Sequence, residues 1–162
     1  QGTPLPGRKP SILVGRVMSD DSLQELLEAA IKAREKSHAP FSRFRVGAAV
    51  RGASGQVYTG SNIESSSYGL TICAERLALC IAIHNGEQEI NEIAVVCATR
   101  AAPGPCGACR QFMVDFASGA MVLMANLAGD QRTASVQELM PWSFGPRELA
   151  DAEKYAESPA DE

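Results

Sequence analysis

Residues 73–84 constrain this chain more than any other stretch. Ala74, Leu77, Ala78, Leu79, Cys80, Ile81, Ala82 and Ile83 make the segment apolar almost all round. A helix of that kind is buried on most of its sides, so the rest of the chain must supply a layer to cover it. Asn85-Gly86 is the expected stop. Residues 44–50 and 56–61 read as two strands joined through Gly52-Ala53-Ser54-Gly55, a glycine-bearing hairpin loop. Residues 93–99 and 121–126 are β-rich apolar runs, and between them a Pro/Gly loop leads into a helix from Cys106 to about Ala117, closed by Gly119.

Upstream, Leu23, Leu26, Leu27, Ala30 and Ile31 recur at spacings of three and four, the stripe of an amphipathic helix. Asp20, Asp21 and Ser22 offer N-caps and negative charge at its positive dipole end, and Pro40 requires it to stop first. Residues 136–139 predict a last short helix; the acidic end after Pro146 adds another or frays. The order is helix, two strands, helix, strand, helix, strand. Strands separated by helices need crossovers, which favour parallel pairing in a layered α/β sheet, and the first hairpin makes that sheet mixed.

A chain of 162 residues fits one domain, here residues 18–150 with an acidic tail over 151–162. Residues 1–17 hold six Gly or Pro without helical or strand period and read as a flexible arm. Met18, followed by Ser-Asp-Asp, resembles a natural start, so the arm is expected to be an expression remnant, with a genuine disordered leader as the alternative. A formal charge of -4 disfavours a dedicated nucleic-acid binder, since such binding rests on neutralising phosphates. No apolar run reaches membrane-spanning length, and no signal peptide is visible in the sequence. The five cysteines, an odd number, point to reduced thiols and a cytoplasmic protein.

Two thiol clusters stand where helices should begin: Thr71-Ile72-Cys73-Ala74-Glu75-Arg76 and Pro105-Cys106-Gly107-Ala108-Cys109-Arg110. A helix N-terminus favours the thiolate, the form that binds zinc. Gly107 and Ala108 keep the turn small enough for two sulfurs to converge on one ion. Three protein ligands leave a fourth tetrahedral position for water, the arrangement of a catalytic zinc site. The metal generates hydroxide near neutral pH, and Glu75 stands close enough to pass protons between that water and a substrate. Three thiolates on Zn²⁺ leave a net negative charge, which Arg76 or Arg110 would offset by hydrogen-bonding the sulfurs. Two other readings use the same residues. Cys106 and Cys109 could form a redox pair. Alternatively, Cys80, Cys97, His38 or His84 could close a structural zinc site, making the chain a non-catalytic, zinc-stabilised interaction module.

At Cys73-Ala74-Glu75 and Pro105-Cys106-Gly107-Ala108-Cys109 the sequence resembles the zinc-dependent cytidine deaminases. Asn62-Ile63-Glu64, Tyr68-Gly69 and Phe41-Ser42-x-Phe44-x-Val46-Gly47-Ala48-Ala49 extend the likeness to the small, free-nucleoside branch. It covers roughly residues 23–144. The resemblance implies a three-layer α/β/α sandwich around a mixed five-stranded sheet, with one zinc per subunit held by Cys73, Cys106 and Cys109. Glu75 would be the proton shuttle, and Arg76 would pair with the ligating sulfurs. Asn62 and Glu64 would hold the ribose hydroxyls, Phe44 would lie against the pyrimidine, and the backbone amide of Ala74 would meet its carbonyl oxygen. Relatives of this size imply a homotetramer in which Tyr68 and Phe144 reach a neighbour's site. The implied reaction converts cytidine and 2′-deoxycytidine to the uridines and ammonia through zinc-bound hydroxide, in pyrimidine salvage. A modified cytosine nucleoside, such as a blasticidin-type antibiotic, is the alternative substrate; Glu64 and Arg76 argue against it. From their residues alone, Phe44 and Phe144 fit a core as well as a site. Ser61 and Phe41 stand where many relatives carry Cys and Tyr, differences expected to touch only local packing.

Overall fold

The computed structural model describes residues 20–157, with side chains described over 21–155. The arm expected over 1–17, and the last residues of the acidic tail, lie outside the described residues. Five strands form one mixed sheet: β1 (Val46–Gly52), β2 (Val57–Ser61), β3 (Ile90–Cys97), β4 (Met121–Asn126) and β5 (Gln131–Ser135), in the order β2-β1-β3-β4-β5. β1 pairs antiparallel with both β2 and β3, β3 and β4 are parallel, and β5 returns antiparallel to β4. The expected crossover geometry follows, because β2 and β3 run the same way with β1 between them.

Period-two alternation sorts each central strand onto two faces. Ala49, Ala94, Val96, Leu123 and Ala125 pack against Leu26, Leu27 and Ala30 of α1 (Asp20–Arg34). Their neighbours Ala48, Val50, Ile93, Val95, Val122 and Met124 face α2 (Ala74–His84), α3 (Gly107–Phe116) and α4 (Val136–Leu139). The result is the expected three-layer α/β/α sandwich. Small residues set its layer spacing. A Cβ at Gly47 would lie 2.1 Å from the Ala30 carbonyl oxygen of α1, and one at Gly60 would lie 2.6 Å from backbone atoms of Ala74 and Ala78 in α2. At both points a helix rests directly on a strand's backbone.

Most element boundaries differ from the sequence reading by only a few residues. β3 begins earlier than expected, at Ile90, and takes in Glu92, whose buried carboxylate is paired with Arg51 at 2.9 Å and accepts from Ser22 Oγ. β5 is absent from the sequence reading because Gln-Arg-Thr-Ala-Ser has little apolar content. As an edge strand with its first three residues exposed, it needs little. α4 is held by a capping box in which the Ser135 hydroxyl accepts from the Glu138 amide and the Glu138 carboxylate accepts from the Ser135 amide. The end after Pro146 forms a further helix, α5 (Pro146–Glu157), so the line drawn at residue 150 falls within a helix.

Candidate metal centre and substrate rim

Cys73 and Cys106 are the N-cap residues of α2 and α3, and neither side chain is spent on capping its helix. Cys109 lies in the first turn of α3, behind Gly107 and Ala108. The two helix starts therefore aim three thiols at one point from the positive ends of two helices. Cys73 Sγ lies 3.8 Å from Cys106 Sγ, and Cys106 Sγ lies 3.5 Å from Cys109 Sγ. All three sulfurs lie within 4.8 Å of one another. Zinc–sulfur bonds in tetrahedral geometry separate two sulfurs by about 3.8 Å, so this cluster fits zinc without rearrangement. Cys80 is exposed on α2 and Cys97 is buried in β3; neither they nor the histidines belong to a metal-capable cluster among the described residues. The three thiols expected to act together are the ones the fold groups.

The thiols differ electrostatically. A hydrogen bond from Cys109, with the nearby Arg76 guanidinium, pulls Cys73 down to about 5, while the proton it shares with Cys73 and its own burial push Cys109 up. Glu75 occupies the first turn of α2 and is 5% exposed. Burial, with the adjacent charge of Cys73, holds its carboxyl above the ordinary range. Of the two candidate arginines, it is Arg76 that meets the sulfurs: its Nη2 donates to Cys73 Sγ at 3.9 Å and to the Thr71 carbonyl at 3.0 Å. Among the described residues its buried Nε has no hydrogen-bond partner.

A second group lies beside this one. The Asn62-Ile63-Glu64 segment runs between two neighbours, with Ile63 exchanging backbone hydrogen bonds with Ile72 and Glu64 N donating to His38 O at 2.8 Å. Ile72 immediately precedes Cys73, so the segment is tied to the start of α2. The Glu64 carboxylate accepts from the amides of Phe41 and Ser42 and from the Ser42 hydroxyl, which hold it below the usual carboxylate range. Asn62 is buried and largely committed: its Oδ1 accepts from Val46 N and Ser37 Oγ, and its Nδ2 donates to Phe44 O. It therefore shapes the turn that presents Phe44, which is 43% exposed.

Phe41, Ser42, Glu64, Tyr68 and Thr71 line a cavity of about 400 Å³. Phe41 meets the Tyr68 ring edge-on, with centroids 5.9 Å apart. Phe41, expected to bear only on local packing, walls the same cavity as Glu64 and Tyr68. Ser42 and Thr71 were not singled out either. Ser42 stands inside a matched motif, but nothing in its residue type signals that it would hold Glu64. Phe144 is 61% exposed, with its carbonyl accepting from Gln111 Nε2 at 2.9 Å. Neither Phe44 nor Phe144 is a core aromatic.

Three thiols and a buried carboxyl gathered at paired helix starts define a metallohydrolase-type centre. The family model for the cytidine and deoxycytidylate deaminase zinc-binding region matches residues 20–125. A cytidine deaminase from Halalkalibacterium halodurans is 45% identical over 129 residues, covering 79% of this chain and 98% of that protein. One from Sporosarcina psychrophila is 40% identical over 131 residues, covering 80% and 96%. The crystal structure of cytidine deaminase from Burkholderia pseudomallei superposes with a TM-score of 0.73 at 43% identity, over 78% of this chain and all of that one. The chain belongs to the zinc-dependent cytidine deaminase family of enzymes.

Proposed function

We propose that this enzyme hydrolyses cytidine and 2′-deoxycytidine to uridine and 2′-deoxyuridine, releasing ammonia. The observation that carries this reading is the buried Glu75 carboxyl beside three convergent thiols. Cys73, Cys106 and Cys109 would hold one zinc per subunit, and zinc acidifies water to near neutral pH. With its affinity for protons raised by burial, Glu75 can take one from the attacking water and give it to ring N3 as C4 is attacked. It then moves a proton to the departing amine. Water is consumed and ammonia leaves, so atoms balance.

On the substrate side, Phe44 would lie against the pyrimidine and the Ala74 amide would meet its carbonyl oxygen. Glu64 would take the ribose hydroxyls, and Asn62, which contributes its remaining N–H, would hold the turn around them. A carboxylate held well ionised is a strong acceptor for a sugar hydroxyl. Arg76 would offset the negative charge of three thiolates. Tyr68 and Phe144 would reach a neighbour's site in a homotetramer, a reading supported by their exposure of 75% and 61%. Three metal-holding thiolates require a reducing setting, which fits the cytoplasm and a role in pyrimidine salvage. No helix among the described residues is long and apolar enough to cross a membrane.

The test is purified protein with its zinc content measured beside turnover. Cytidine absorbance should fall with one ammonia released per uridine, and a blasticidin-type antibiotic should be left unchanged. Zinc-loaded protein that releases no ammonia from either nucleoside would sink the reading.

A further inference from the structure

Each cysteine motif is followed by an arginine, and the fold gives the two arginines different work. Arg76 meets sulfur. Arg110 instead clamps backbone: its Nε donates to Pro105 O at 2.8 Å and its Nη1 to Leu139 O at 2.9 Å. A Cβ on Gly104 would come within 2.8 Å of Arg110 Nη2, so the guanidinium lies close over that part of the loop. The carbonyl of Pro105 is one peptide before Cys106, and Leu139 is the last residue of α4.

The first half of the loop leading to Cys106 is tied down by Asn126, whose Nδ2 donates to the Thr99 and Arg100 carbonyls, and by Asp130, which accepts from the Ala102 amide at 2.7 Å. Its second half is different, because Pro103 and Pro105 lack an N–H and the Pro105 carbonyl is held by Arg110. Cys106 is also the most exposed of the three thiols, where Cys109 is buried and Cys73 half-buried. The most exposed of the three thiols thus follows a stretch in which two prolines have no N–H to give. We propose that Arg110 is a positioning residue for the metal: by bridging the Pro105 and Leu139 carbonyls it fixes the backbone that delivers the Cys106 thiolate. Arg110 acts through geometry, where Arg76 acts on the sulfurs themselves. The inference rests on the reading that the three thiols hold zinc.

The experiment follows zinc loss from the full chain into excess chelator, together with the sulfur-to-cobalt charge-transfer absorption of Co²⁺-substituted protein. Arg110→Ala should release zinc about 10- to 100-fold faster than wild type and show a weakened thiolate band, the range for residues that orient metal ligands. Arg110→Lys, whose point-like ammonium cannot span both carbonyls, should fall between the two and decides the matter if Arg110→Ala does not fold. Ser135→Ala, which removes the cap at the other end of α4, should lower the melting temperature while leaving zinc release at the wild-type rate. The inference is overturned if a folded Arg110 variant keeps zinc as long as wild type does, or if Ser135→Ala loses it as fast as Arg110→Ala. Wild-type protein that takes up no zinc would overturn the proposed function as well, a result readily told apart because every variant would then look alike.

Discussion

The thiol cluster and the rim around Glu64, the proposed sugar side of the site, are built by different means. Around the sulfurs everything comes from one chain: two helix starts, a buried carboxyl, and two arginines with separate tasks. Around Glu64 the walls are exposed aromatics, with Phe41 at 52%, Phe44 at 43% and Tyr68 at 75%. Chemistry on the first side depends on charges whose positions are fixed by backbone. The second side, where the proposed recognition would take place, is walled by aromatics open to solvent. The lesson is that the two halves differ in how firmly their groups are held.

Variants on the two sides should therefore fail differently. The largest effect belongs to Glu75→Gln, which removes the proposed proton carrier but no thiol; kcat should fall about 100- to 10,000-fold with zinc content unchanged. Loss of zinc along with activity would show instead that the carboxyl serves the metal. On the other side, Glu64→Gln should raise KM about 10- to 100-fold with a smaller change in kcat, the cost of a charged hydrogen bond to a sugar. A matching fall in kcat with constant KM would erase the distinction between the sides.

Gly60→Ala tests the scaffold beneath the metal side. Its methyl would meet backbone at 2.6 Å, and overpacking of this kind costs about 1–3 kcal/mol, read as a lower denaturant midpoint. An unchanged midpoint would mean that α2 yields freely. The smallest expected effect lies at Glu138, whose carboxylate caps the start of α4 at Ser135. The Ser135 amide and hydroxyl hold its carboxyl below the ordinary 4.5. Because the folded value is depressed, the stabilisation is present above about pH 4.5 and lost as pH falls through the lower, folded value. The melting-temperature gap between wild type and Glu138→Ala should accordingly shrink with acidification; a gap constant down to about pH 3 would exclude ionic capping.

What could be read from the sequence follows the same division. The apolar helix, the hairpin glycines and the thiols at helix starts are local signals, and each lies where its residues put it. The match of Cys73, Cys106 and Cys109 needed only spacing and the chemistry of a helix N-terminus. The role of Asn62 in tying down Val46 and Phe44 depends on contacts between segments sixteen and eighteen residues apart. The grip of Ser42 on Glu64 and the Phe41 wall are likewise long-range facts without a residue-type signature. Nor could spacing choose between Arg76 and Arg110 as the sulfur partner, since each directly follows a cysteine-bearing motif. β5 escaped because an edge strand can be polar.

Gly60 has a consequence beyond its own contacts. Where α2 lies on β2, the distance from sheet to helix is gauged by the absence of a single carbon, and the first turn of that helix carries Ala74 and Glu75, with Cys73 as its cap. Transplanting the Cys-Ala-Glu-Arg tetrapeptide onto another scaffold would carry the functional groups but not their height above the sheet. A graft meant to reproduce this chemistry has to bring the bare strand position along with it.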